Sequence, residues 1–167
     1  MKKIVVIGAG TMGNGITHVF AQNGFKVTMI DISMEALEKA KNTIASNLDR
    51  MVKKEAITEE TKQATLANIS ISTSLADSGT DADMMVEAAS ERMDIKLKIF
   101  MEADQILPAH AILASNTSSI SITKIASATQ RPDKIIGMHF MTPVPVMKLV
   151  EVIRGYATSA ETTSTMM

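Results

Sequence analysis

Short runs rich in Val and Ile alternate along the chain with longer segments whose apolar residues recur at helical spacing. The run at 3–8, KIVVIG, reads as a first strand, and residues 11–23 as a helix that stops at Asn23-Gly24, a C-terminal signal. Residues 26–31, KVTMID, read as a second strand. From Ser33 to about Lys54 the period is helical, with Leu37, Ile44, Leu48 and Met51 on one stripe. A further helix is expected from Thr58, with Glu59 and Glu60 in its first turn, where the helix dipole favours acids. Strands are predicted at 69–73, 84–88 and 111–115, with a helix over 93–105 between the last two. Two more are predicted at 134–140 and 148–153.

Strands that alternate with helices predict an α/β fold with a doubly wound, mostly parallel sheet. The helical stretch from 33 to 67 exceeds what a crossover needs and is expected to project as a helical pair. The tail from Tyr156 carries no core of its own.

Composition narrows the function. Apolar residues form 46% of the 167, enough for one domain with a real core. The net charge of −1 gives no electrostatic case for nucleic acid or an anionic membrane. No cysteine is present, which removes disulfides, thiolate catalysis and cysteine-bound zinc and fits a reducing, cytoplasmic setting. No metal site is expected. No apolar run is long enough to span a membrane, and the basic, apolar N-terminus is too short for a signal peptide, so it reads as a buried strand.

Gly8-Ala9-Gly10-Thr11-Met12-Gly13 matches GxGxxG. The motif follows a strand, opens a helix, and precedes by about 20 residues a strand ending at Asp31, and this context makes it specific. Gly8 permits a tight turn, Gly10 lets a pyrophosphate approach the backbone, and Gly13 lets helix and strand pack closely. The helix N-terminus then offers free N–H groups to phosphate. Asp31 would accept hydrogen bonds from the adenosine ribose hydroxyls and repel a 2′-phosphate, so NAD is favoured over NADP. The expected fold is therefore of Rossmann type.

Asn116, Thr117, Ser118 and Ser119 follow the strand at 111–115, at the edge where ligands bind in open α/β sheets. Ser118 or Ser119 would equally serve as N-cap of a helix near 120–126. His139 ends another strand and reaches the same edge, whereas His18 and His110 read as structural. Glu151 stands among apolar neighbours in KLVEVI, on the face of Leu149 and Ile153. A buried carboxylate needs a partner, and the turn in TPVP is able to return the chain beside His139. A Glu on one imidazole nitrogen leaves the other free as a base; the alternative is an ordinary Glu on a sheet edge. Dinucleotide, histidine base and hydroxyl donor together suit hydride transfer from a secondary alcohol.

The segments VIGAGTMGNGI, VEAASERMDIKLKIF, ILASNTSSISITKIA, RPDKIIGMHF and PVPVMKLVEVIRG resemble the N-terminal domain of the short-chain L-3-hydroxyacyl-CoA dehydrogenases, over residues 1–160. The resemblance implies NAD-dependent interconversion of (S)-3-hydroxyacyl-CoA, 3-hydroxybutyryl-CoA among them, and 3-oxoacyl-CoA, chemistry shared by butanoate and fatty-acid metabolism. It implies His139 as base, Glu151 as its partner, Ser118 on the substrate's 3-oxygen and Asn116 in the same turn. Asp31, Glu91 and Lys96 match positions that contact NAD. On the long helix, Asn47, Arg50 and Lys54 share a face that would hold the phosphates of CoA, or is simply a solvated basic face.

Two departures stand out. Thr142 occupies, in HFMTP, the place of an Asn that touches the cofactor in the family's usual HFFNP. Family members also continue into a helical domain that completes the site and makes a homodimer, so residues 161–167 are expected to begin that domain and the chain alone to turn over weakly or not at all. Two rivals are a dehydrogenase of a hydroxy acid without CoA and a non-catalytic NADH-binding module.

Overall fold

The computed structural model describes residues 1–167. Seven strands form one sheet: β1 (Lys3–Ile7), β2 (Lys26–Ile30), β3 (Ile69–Ser72), β4 (Met84–Glu87), β5 (Ile112–Ser115), β6 (Ile135–Phe140) and β7 (Val150–Arg154), in the order β3-β2-β1-β4-β5-β6-β7. The first six are parallel, and β7 runs antiparallel to β6. The order reverses between β1 and β4, the switch point where such sheets open a crevice for a ligand. The central strands read as apolar runs because helices cover both faces.

The helices are α1 (Thr11–Gln22), α2 (Met34–Lys53), α3 (Glu59–Ala67), α4 (Leu75–Ser78), α5 (Met93–Ile106), α6 (Ile122–Ala126) and α7 (Ala160–Met166). On one face Ile4, Val6, Ile16, Ile44, Leu48 and Val86 share a core; on the other Val5, Met85, Phe100, Leu113 and Ile125 do. Each such side chain, once fully buried, contributes roughly 1.5–3 kcal/mol. The α2–α3 pair is anchored rather than free: Leu37, Ala40, Ile44 and Leu48 are buried, and Met51 packs against the same core. Ser33 and Thr58 cap these two helices through their side chains. At the far end of α5, Arg131 donates to the carbonyls of Asp104, Leu107 and Pro108 and pairs with the Asp104 carboxylate at 2.6 Å.

Two short elements, α4 and a 3₁₀ turn at Pro132–Lys134, have too few residues to show a period and were not predicted. The tail forms α7, capped by Ser159, with Thr162 buried and Met166 packed against the domain's own core.

Candidate functional site

The glycine loop lies at the switch point. Gly8 adopts φ +107°, and a Cβ there would fall 2.6 Å from the Ala88 carbonyl oxygen after β4. A Cβ on Gly13 would fall 1.8 Å from the Gly8 carbonyl oxygen. Both positions therefore require glycine for reasons internal to the fold. Gly10 differs, because a Cβ there would meet nothing within 4 Å. Packing does not demand a glycine at this point, and the open space suits a ligand that approaches the backbone. α1 starts at Gly10 with no side-chain cap, whereas α2, α3, α4, α6 and α7 are all capped by Ser or Thr. The first N–H groups of α1 thus remain available to an anion, with Thr11 exposed and Met12 half-buried beside them.

Asp31, just past β2, takes the Ala9 N–H at 2.8 Å and the Ser33 N–H at 3.1 Å. The acid therefore holds the glycine loop, and each of its oxygens keeps lone-pair capacity toward a ribose. Gly8, Gly10 and Asp31 line a groove of about 680 Å³ with Ile32, Ala89 and Ile95, large and apolar enough for an adenosine. These residues fit a bound NAD.

Beyond β4 lies a buried polar cluster. Glu87 and Lys96 are 0% and 1% exposed, with Lys96 Nζ 2.8 Å from Glu87 Oε1. Glu87 also accepts from the Ser115 hydroxyl at 2.7 Å and the Ala89 N–H at 2.7 Å. Lys96 reaches Glu91 at 3.2 Å. Lys96, expected beside the cofactor, holds its ammonium on the two carboxylates of Glu87 and Glu91, because an unpaired Glu87 inside the sheet would be costly. Glu91 remains partly exposed and binds the hydroxyls of Thr117 and Ser119. Burial pushes its carboxyl up, but Thr117, Lys96 and Ser119 outweigh that and hold it below the usual carboxylate range. Sequence reasoning missed Glu87 altogether, and it placed Thr117 at this edge without giving it a role.

Thr117 accepts the N–H groups of Ser119 and Ile120, so it shapes the turn that presents Ser118. Ser118 and Ser119 are not the cap of α6; Ser121 is, accepting from Lys124 N–H. Helix capping therefore does not account for Ser118. Asn116 accepts the Phe140 N–H at 2.9 Å, tying the end of β5 to the strand of His139.

His139 and Glu151 face each other directly in the β6–β7 register. His139 Nδ1 lies 2.7 Å from Glu151 Oε2. The carboxylate only accepts, so Nδ1 is the donor in this contact, and the neutral ring with that tautomer has its lone pair on Nε2. The partnership expected from alternation is present, yet its stated cause is not: the Glu151 side chain is 51% exposed, and Leu149 and Ile153 stand open beside it at 56% and 38%. His139, Glu151 and Ser118 line one groove of about 350 Å³ with Arg154. His18 is buried in α1 on Gln22, His110 meets Asp83, and neither lines the groove of His139.

A third groove, of about 630 Å³, runs from the glycine loop to α2 and is lined by Thr11, Met12, Asp31, Lys39, Asn47 and Thr142 among others. Thr142 donates to Met12 Sδ at 3.0 Å. The structure brings Asn47 to this groove but Arg50 to a neighbouring open surface with Glu35 and Glu38, and Lys54 to neither; Lys39 and Thr43 border both. Along α2, then, Asn47 lines the groove, Arg50 the surface beside it, and Lys54 stands at the C-cap beyond both.

The family described as 3-hydroxyacyl-CoA dehydrogenase, NAD binding domain, matches residues 3–167. A 3-hydroxybutyryl-CoA dehydrogenase of Bradyrhizobium diazoefficiens is 50% identical over 162 residues, 97% of this chain and 55% of that protein. A 3-hydroxyadipyl-CoA dehydrogenase of Escherichia coli is 43% identical over 161 residues, 96% of this chain and 34% of its own. The crystal structure of (S)-3-hydroxybutyryl-CoA dehydrogenase from Ralstonia eutropha superposes with a TM-score of 0.96 at 50% identity, covering 99% of this chain and 58% of that one. The chain spans about half the length of the first of these relatives.

Proposed function

Because the chain belongs to the 3-hydroxyacyl-CoA dehydrogenase family, as its NAD-binding domain, we propose that it is the cofactor-binding part of a dehydrogenase that interconverts (S)-3-hydroxyacyl-CoA, 3-hydroxybutyryl-CoA foremost, and 3-oxoacyl-CoA. The carrying observation is the 2.7 Å contact of His139 Nδ1 with Glu151 in a groove shared with Ser118, on the sheet edge that also bears the glycine loop. Bound NAD supplies the hydride acceptor. Glu151 fixes the tautomer of His139 and leaves Nε2 to take the alcohol proton. The imidazolium that results is balanced by the Glu151 carboxylate. In reverse, Nε2–H and the Ser118 hydroxyl polarise the 3-oxo group. Asn116 acts through the strand by holding Phe140 N–H beside His139. Glu91, Asp31 and the loop from Gly8 to Gly13 hold the cofactor, with Thr142 at the rim.

The polar face of α2 supports an acyl-CoA partner, with Asn47 and Lys39 inside the groove and Arg50 beside it. α7 leads into a helical domain that covers the open face of Leu149 and Ile153, completes the site and makes a homodimer. No helix is long and apolar enough to cross a membrane, and a cytoplasmic setting is part of the proposal.

A single-turnover assay tests this reading. The chain is held in excess over NADH, acetoacetyl-CoA is added and NADH absorbance is followed. Slow loss is expected from residues 1–167 and fast loss from a longer chain carrying the remainder. A longer chain that binds NADH and never oxidises it with acetoacetyl-CoA would overturn the reading.

A further inference from the structure

Gly15 stands outside the GxGxxG pattern, yet it occupies the interior of α1, where glycine is a poor helix former. Its φ is ordinary, so backbone strain does not explain it. Space does. A Cβ on Gly15 would lie 2.7 Å from Val144 Cβ and 3.0 Å from its Cγ2, closer than the roughly 3.5–4.0 Å at which carbon atoms pack. The first atom met is a Cβ bound to the backbone, not the end of a flexible side chain. An alanine would therefore move the chain at Val144 rather than a rotamer.

Val144 belongs to the turn that joins the strand of His139 to the strand of Glu151. It is 5% exposed, in contrast to Pro143, Pro145 and Val146 around it, which are exposed. It packs in one core cluster with Ile16 and Phe140. Two more contacts flank it along the same seam: Thr142 on Met12, and Phe140 edge-on to Phe20 with ring centroids 6.0 Å apart. The hairpin that bears the proton-transfer pair is thus seated in a notch on the helix whose N-terminus faces the cofactor.

We propose that Gly15 and Val144 are positioning residues, a joint through which α1 sets where His139 and Glu151 stand relative to the bound dinucleotide. Neither touches the reacting atoms. Gly15 provides the notch, Val144 fills it, and the turn is held on α1 although its remaining residues face solvent. The joint rests on the proposed function for its catalytic consequence and on packing alone for its geometry.

The test reads geometry and chemistry separately. The chain holds three histidines, so the ring-proton resonances of His139 are resolved by NMR against those of His18 and His110. Gly15→Ala is expected to shift the His139 resonances and to leave NADH affinity, measured by fluorescence, little changed. Adding Val144→Gly removes the three atoms nearest the new methyl, and the double variant is expected to return the His139 resonances toward the parent. Should Gly15→Ala fail to fold, Val144→Ala, which withdraws both Cγ atoms from the notch and spares α1, is expected to move the same resonances. In the longer chain, hydride transfer by Gly15→Ala is expected to fall on the order of a hundredfold, the cost of a misplacement near 1 Å, and to recover in the double variant. Unmoved His139 resonances in both single variants, or a double variant no closer to the parent than Gly15→Ala, would overturn the joint. If the resonances behave as expected and the parent longer chain transfers no hydride, the proposed function fails and the joint stands.

Discussion

Lys96 Nζ lies 2.8 and 2.9 Å from the two carboxylate oxygens of Glu87, with neither side chain more than 1% exposed. A buried pair of this kind adds little net stability, but removing one partner strands a charge at a cost of about 3–5 kcal/mol. Its value here is position. Glu87 holds the Ala89 N–H and the Ser115 hydroxyl, and Lys96 holds Glu91, so the ends of β4 and β5 are fixed together at the switch point. Glu87→Met and Lys96→Met are each expected to lower unfolding free energy by about 3–5 kcal/mol in urea titrations. The joint change Glu87→Met with Lys96→Met should cost less than the sum. A residual loss of about 1–3 kcal/mol is expected, from the Ser115 hydroxyl and the Ala89 N–H left without an acceptor. A strictly additive double variant would refute the coupling.

His139 and Glu151 are predicted to separate chemistry from binding. In the longer chain, His139→Ala should abolish turnover with acetoacetyl-CoA while NADH still binds. Glu151→Gln keeps an oxygen able to accept the Nδ1–H but removes the charge that balances the imidazolium. Its kcat should fall within the range of about 10²–10⁴ that general acid–base catalysis supplies, and Glu151→Ala should fall further because orientation is lost as well. Turnover that survives His139→Ala would mean that another group is the base.

These two pairs show what the sequence makes legible. The strands and long helices follow from β-branched runs and helical spacing, and the His139–Glu151 register follows from alternation on either side of a turn. The inference was sound in outcome and mistaken in cause, because Glu151 faces an open surface and not a core. The same rule, a carboxylate within an apolar run, would have found Glu87 in Met84-Met85-Val86-Glu87, where the burial is real. Its partner Lys96 lies on α5, and no local spacing reveals that approach. Ser118, Ser119 and Ser121 all offer a hydroxyl to cap α6, and only the start of the helix at Ile122 selects Ser121. That Asn47 lines the groove of the glycine loop and Arg50 the surface beside it depends on where the loop docks against α2, which is a tertiary fact.

Acyl-CoA recognition is expected to depend on charge beside Asn47. Lys39 borders both the groove of the glycine loop and the outer surface of α2, and Arg50 lies on that surface. Charge reversal by Lys39→Glu with Arg50→Glu should raise KM for acetoacetyl-CoA and leave kcat nearly intact, as loss of uniform binding does. The effect should shrink as salt rises, because the contacts are exposed. Lys54→Glu, away from both grooves, should do much less. An unchanged KM in the double variant would place CoA elsewhere.

His18 gives the domain a predicted pH dependence. It is fully buried in α1, its Nε2 lies 3.0 Å from Gln22 Oε1, and its Nδ1 has no hydrogen-bond partner. Burial lowers its pKa below 6.5, and the Gln22 bond offsets this only in part. The unfolded chain therefore takes up a proton at a higher pH than the folded one. The stability that neutral His18 allows is complete above about pH 6.5 and is lost as the pH falls toward its folded value. Asp83 acts in a separate window. The N–H groups of Lys3 and Lys2 hold its carboxyl down at about 2, so its stabilisation is present above its ordinary 3.8 and is lost only as the pH falls from there. Urea midpoints between roughly pH 7.5 and pH 5.5 thus stay clear of the Asp83 window. The parent chain should lose stability across that span more steeply than His18→Leu, whose side chain cannot take up the proton. Equal slopes would show that His18 does not govern the acid sensitivity of the cofactor helix.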